Sequence, residues 1–188
     1  MKTFEVELTY DVDPAKLRWP GRAEVAFDAT PAGNQHYEDL RGLTWADVEQ
    51  ALSLERQLIA QVERAADPAA EESRITEGLA EGAEIDGPHP LRGVDLGVAS
   101  AVFALSALGA IPAASCNGGA FGAFHQGRNP YIAFFIRPRR LQTLAPWVRA
   151  AGLGLTMTDD GIVVLQARRV ADLCAFAEIA LAAQATRG

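Results

Sequence analysis

The sequence predicts an α+β fold. Its C-terminal part reads as a four-stranded antiparallel sheet from two strand-strand-helix units plus a preceding buried helix, with an acidic N-terminal hairpin and helix segment before it. Three observations predict this. Apolar residues alternate at period two in the opening stretch, recur every three to four residues in several later ones, and fall into two similar strand-turn-strand-helix units within 95–188.

In chain order, KTFEVELTYDV sets Phe4, Val6, Leu8, Tyr10 and Val12 against polar neighbours, the pattern of a half-buried strand, and RAEVAFDA is its expected hairpin partner. Thr44 is a good N-cap, and Trp45, Val48, Leu52, Ile59, Val62 and Ala66 mark a helix that ends near Asp67 and Pro68. The acidic stretch 69–93 reads as a solvated helix and then a Gly/Pro linker. A boundary there separates residues 1–90 from a core domain at 91–188.

VDLGVASAVFALSALGA is expected to be a buried helix capped by Asp95. IPAASC and PYIAFFIR read as short strands, and RRLQTLAPWVRAAG as a helix that Gly152 stops and Pro146 kinks or delays. LGLTMT and IVVLQA flank a tight turn at Asp159, Asp160 and Gly161, and the last helix runs from about Val170 to Ala185. Arg139, Arg140, Leu141, Leu144 and Trp147 match Arg168, Arg169, Val170, Leu173 and Phe176 at a constant offset of 29, which suggests an internal repeat.

Charge divides the chain. Residues 1–94 hold 9 Lys/Arg and 19 Asp/Glu, a balance of -10, while 95–188 hold 8 Arg and 5 Asp/Glu, a balance of +3. The net charge of -7 argues against general nucleic-acid binding, because phosphate contacts need clustered cations. Arg139, Arg140, Arg168 and Arg169 stand at helix starts, where a cation opposes the macrodipole, so the acidic first half of the chain is their expected partner. The run Val98–Ala114 is shorter than a bilayer crossing and contains Gly109 and Pro112, so no membrane insertion is expected. Two distant cysteines, with no signal peptide in MKTFEVELTY, place the protein in a reducing cytoplasm.

Function is expected in SCNGGAFGAFHQGRNP. The first hairpin spends about thirteen residues, Asn117 to Asn129, where Asp-Asp-Gly closes the second, and long loops in compact domains tend to be functional. Candidate ligand-binding residues are Ser115, Asn117, Gly118, Gly119, Phe121, Arg128 and Arg137, and Phe124 and Tyr131 could complete a pocket wall. Asn117, Gly118 and Gly119 are expected at the bend, where positive φ is tolerated. A glycine nest suits a small polar or anionic ligand. The alternative is a catalytic pair, Cys116 with His125, in which the imidazole draws the proton from a thiolate nucleophile. Cys174 reads as core. A second alternative is a protein-interaction module with a structural loop. No metal site is expected, since His36, His89, His125 and Cys116 lack paired ligand spacing, and no pattern names a cofactor.

A helix leading into a strand that ends Ser115, Cys116, Asn117, Gly118 resembles a segment of about 40 residues in the Tyw3 family of wybutosine-tRNA methyltransferases. The resemblance implies a transferase that uses S-adenosylmethionine on a fold unlike the usual methyltransferase sheet. The chain departs from it at Gly119 and Ala120, where a basic residue would help hold RNA. As a whole the chain has the look of a bacterial protein.

Overall fold

A computed structural model describes residues 1–21, 40–86, 89–122 and 127–186. The expected strand RAEVAFDA, and with it the N-terminal hairpin, lies outside the described residues, as do His36, Phe124 and His125. Among the described residues five helices and four strands follow one another as α1 (Trp45–Arg64), α2 (Pro68–Asp86), α3 (Ala99–Ala107), β1 (Ile111–Cys116), β2 (Tyr131–Phe135), α4 (Pro138–Ala150), β3 (Gly154–Met157), β4 (Val163–Gln166) and α5 (Val170–Ala185).

The strands form one antiparallel sheet in the order β1-β2-β4-β3. Ile132 lies opposite Leu165, and Leu165 opposite Leu155, so these three share one face, and all are fully buried. The other face carries Ala133, Val164, Thr156, Tyr131 and Gln166, all half-buried. Pro112 is accommodated because β1 is an edge strand; the register shifts between Pro112 and Ala114, and Ala113 is left out of the pairing.

The two strand-strand-helix units are present. Their helices bury equivalent positions: Leu141, Leu144, Ala145, Trp147 and Val148 in α4, and Val170, Leu173, Cys174, Phe176 and Ala177 in α5, each 29 residues on. Pro146 falls within α4 on an exposed position and neither ends the helix nor delays its start, which Pro138 makes in the first turn.

The acidic half packs on the other half of the same chain. Helix α1 lies against α3 and α5, α2 lies against α1, and one apolar cluster runs from Phe4 through α1 and α3 to Ala180. The ring of Trp45 meets Trp147 edge-on, with centroids 6.2 Å apart. Thr44 caps α1 as expected, within a complete capping box: its hydroxyl accepts from Asp47 N, and Asp47 Oδ2 accepts from Thr44 N at 2.6 Å. That Thr44 hydroxyl holds the Asp47 carboxyl below its ordinary pKa.

Asp95 does not cap α3. The N-cap is Val98, which makes no side-chain bond, because Gly97 (φ +94) turns the chain before the helix begins. Glu55 takes over from α1. Its Oε1 accepts from Gly97 N and Ala99 N, each at 2.8 Å, and its Oε2 from Ser100 N at 3.0 Å and from the Ser100 hydroxyl. Glu55 is fully buried, and this burial raises its pKa against the opposing effect of those donors.

The first residues run as an arm along the sheet and not as a regular strand. Phe4 is buried, Val6, Leu8 and Val12 are half-buried, and Tyr10 makes a single parallel bridge to Leu155. Among the described residues no helix is long and apolar enough to cross a membrane.

Candidate functional site

The site is built where β1 stops. Cys116 is the last residue of that strand and lies opposite Tyr131, the first of β2, so the register brings thiol and phenol together on the half-buried face. Fourteen residues, 117–130, separate these strands, whereas five, 158–162, separate β3 from β4. The excess is therefore real in three dimensions, although the short turn is wider than Asp-Asp-Gly alone; Thr158 and Ile162 close it.

Asn117 organises the described part of the long loop. It is 1% exposed, and its amide Nδ2 donates to Glu72 Oε1 at 2.7 Å and to the Leu96 carbonyl at 3.1 Å. Its Oδ1 accepts from Gly119 N at 2.9 Å, and its own backbone N–H donates to Asp95 Oδ2 at 3.2 Å. Asn117 is thus a buried anchor and not a positive-φ bend residue; the bend falls on Gly118 (φ +70) and Gly119 (φ +72). A Cβ on Gly118 would stand 2.8 Å from the carbonyl carbon of Asn129, and one on Gly127 would stand 3.0 Å from Gly118 Cα, so the two ends of the loop are pressed together through glycine.

The sequence-predicted residues divide. Cys116, Asn117, Gly118 and Gly119 come together, with Ser115 preceding them in the strand. Phe121 is buried in the main apolar cluster. Arg128 is exposed beside buried Asn129. Arg137 follows β2 at its other end, so at about 3.3 Å per residue it lies a strand's length from Tyr131 and does not join them.

Two carboxylates add to the electrostatics of the site: Glu72, which the sequence reading did not single out, and Asp95, which it assigned to a helix cap. Glu72, on α2 and itself buried, and Asp95, just before α3, both act on Cys116. Burial pushes the Cys116 thiol above its ordinary pKa, and Asp95 and Glu72 push it further; only the Gly118 N–H, donating to Sγ at 3.2 Å, opposes them. Burial likewise raises Tyr131, with Cys116 and Asp95 adding to the shift. A raised pKa lowers the thiolate fraction, whereas a nucleophilic cysteine needs a lowered one; His125, the expected partner, lies outside the described residues. The glycine N–H groups that would make an anion nest are already committed, Gly118 to Cys116 and Gly119 to Asn117.

Glu72, and Glu55 too, left a trace in the sequence. Glu72 shares a helical stripe with Ile75 and Leu79, and Glu55 interrupts the stripe Val48, Leu52, Ile59, Val62. An acid on an apolar stripe must meet donors inside the protein.

Comparison with known proteins assigns no family. No protein-family model, no curated protein and no solved structure matches the chain. The chemistry must therefore be read from the site itself. Among the described residues no group of three or more His, Cys, Asp or Glu is placed to hold a metal ion. Cys116 and Cys174 are both free thiols.

Proposed function

We propose that the loop 115–128 binds a small polar ligand that carries hydrogen-bond donors or a positive charge. The observation that carries this reading is the convergence of Glu72 and Asp95 on Cys116 and Asn117 at the C-terminal end of β1. Carboxylates accept and do not donate, so they favour an amine, amide or guanidine over a phosphate or a carboxylate. This narrows the polar-or-anionic expectation to its polar, donor-rich side. Cys116 and Tyr131 then serve as neutral hydrogen-bonding groups at the rim. The two free thiols fit a reducing, cytoplasmic setting.

Thermal unfolding in a panel of small amines, amides and guanidines, set against phosphates and carboxylates, tests the reading. A donor ligand at a hundred times its Kd should stabilise by roughly 2.7 kcal/mol, an upward shift of several degrees, and Asp95→Asn should reduce that shift. Stabilisation by anions alone would reverse the assignment. No stabilisation by any member of the panel would return the chain to the interaction-module reading, with the loop as structure.

A further inference from the structure

The end of the sheet away from Cys116 has the opposite character. There β2 gives way to Arg137 and α4, and the N-terminal arm passes beside it, with Arg18 N donating to the Gly161 carbonyl at 3.1 Å. Two arginines at this end lie over aromatic rings, Arg137 over Trp19 at 4.1 Å and Arg18 over Phe135 at 5.4 Å, while Arg149, at the other end of α4, lies over Tyr10 at 4.4 Å. Trp19 is 36% and Tyr10 38% exposed, and with Met1 they are the large apolar side chains that stand open among the described residues.

Arg139 and Arg140 follow on the first turn of α4, which contains no acidic residue. Among the described residues no carboxylate forms an ion pair with Arg137, Arg139 or Arg140. Among the described residues of the acidic half none forms an ion pair with them, where the charge balance leads one to expect it. The equivalent pair in the second unit behaves differently. Arg168 Nε donates to the Val6 carbonyl, and Arg169 pairs with Asp172 at 2.6 Å. At the position 29 residues before Asp172, α4 has Thr143. The same scaffold thus supplies an acid for Arg169 and omits it for Arg140, in a chain whose net charge is -7.

We propose that this surface, centred on Trp19, Arg137, Arg139 and Arg140, docks an acidic peptide segment of a partner protein. Charge complementarity names the occupant. The guanidinium groups present planar donor forks that match carboxylates, and stacking on Trp19 orders that of Arg137 before the partner arrives. Trp19 gives an apolar residue of the same segment a flat surface to cover. Asp13, Asp159 and Asp160 lie in the neighbouring turns and limit the basic area to a short span. A long polyanion would run beyond it toward the acidic helices α1 and α2, whereas a short acidic segment meets only the arginines within a Debye length of about 10 Å. The proposal is independent of the ligand reading of the loop 115–128.

Fluorescence anisotropy with two labelled probes tests it on the full chain: a peptide of glutamates flanking one leucine, and a single-stranded oligonucleotide of equal charge. The peptide should bind, weaken as salt rises, and lose on the order of tenfold in affinity in Arg139→Glu/Arg140→Glu, while Arg56→Ala on α1 leaves it unchanged. Arg137→Ala alone should also weaken it, so the result does not rest on one variant. The proposal is overturned if the peptide does not bind, if both variants bind as the parent does, or if the oligonucleotide binds more tightly than the peptide.

Discussion

The units β1-β2-α4 and β3-β4-α5 bury the same five helix positions and sit as mirror partners in one sheet, yet they differ at both ends. The first spends fourteen residues between its strands and, among the described residues, leaves Arg137, Arg139 and Arg140 without an ion pair; the second spends five and pairs Arg169, at the start of its helix, with Asp172. Packing requirements are met in both, so neither the long loop nor the bare arginines are needed for the sheet. What is surplus to packing in the first unit is where ligand and partner chemistry are best sought.

Substitutions can break or sharpen that contrast. The largest effect is expected at Glu55, which holds α3 beneath the first unit. Glu55→Ala leaves the N–H groups of Gly97, Ala99 and Ser100 buried without their acceptor and should cost about 3–5 kcal/mol in urea unfolding. Glu55→Gln keeps one oxygen for Gly97 and Ala99 and should cost less. Asn117→Ala should follow at about 2–4 kcal/mol, since it strips a buried carboxylate and a carbonyl of their donor. A loss below about 1 kcal/mol would show that the long loop is no better anchored than a surface turn.

Glycine substitutions separate backbone strain from crowding. Gly152 and Gly118 have nearly the same φ, +67 and +70, but a Cβ at Gly152 meets nothing within 4 Å. Gly152→Ala should cost about 1 kcal/mol and Gly118→Ala distinctly more, read as the difference between two melting curves. Equal losses would mean that the loop yields freely around Asn129.

Cys116 gives a test in pH. Its folded pKa lies above the unfolded value of about 9, so the contribution to stability is fully present below pH 9 and is lost as pH rises through the folded pKa. Alkylation of the native protein near pH 9 should be slower than that of the unfolded chain, and Asp95→Asn should speed it by lowering the thiol pKa. A native thiol that reacts faster than the unfolded one would restore the pairing with His125. The smallest effect is expected for Thr143→Asp, which gives α4 the acid that α5 has. It should add about 0.3–0.5 kcal/mol through Arg140 and weaken the acidic peptide.

Much of this architecture was legible in the sequence because local rules decided it. Short apolar runs bounded by turn residues became β1 to β4, Thr44 became a cap, and the offset of 29 emerged as shared burial, whereas the period-two run of residues 4–12 became an arm with a single bridge. What local rules could not show was the pairing of distant polar groups. Asp95 stands where a cap for α3 belongs, but Glu55, from a helix far earlier in the chain, reaches the free N–H groups first, and Asp95 turns to Asn117 instead. Likewise Glu72 reads as one more acid on a solvated helix until α2 is laid against the loop. Arg137 was assigned to the loop because it is near in sequence, but the strand between them carries it to the far end of the sheet.

The N-terminal arm touches both ends of that sheet. Lys2 N donates to Ala120 O and Phe4 N to Arg168 O, and farther along the arm Arg18 N donates to Gly161 O. Because synthesis runs from N- to C-terminus, this arm leaves the ribosome well before the residues it pairs with, and is among the last segments to find its place. It stays unsettled until the second unit has been synthesised and folded. Contacts of such long sequence separation slow folding, because the chain must close a large loop before it gains them. The alternating strand pattern of residues 4–12 is exposed for all of that time, and the charges between its apolar residues, Glu5, Glu7 and Asp11, keep it from pairing with other nascent chains in the interval.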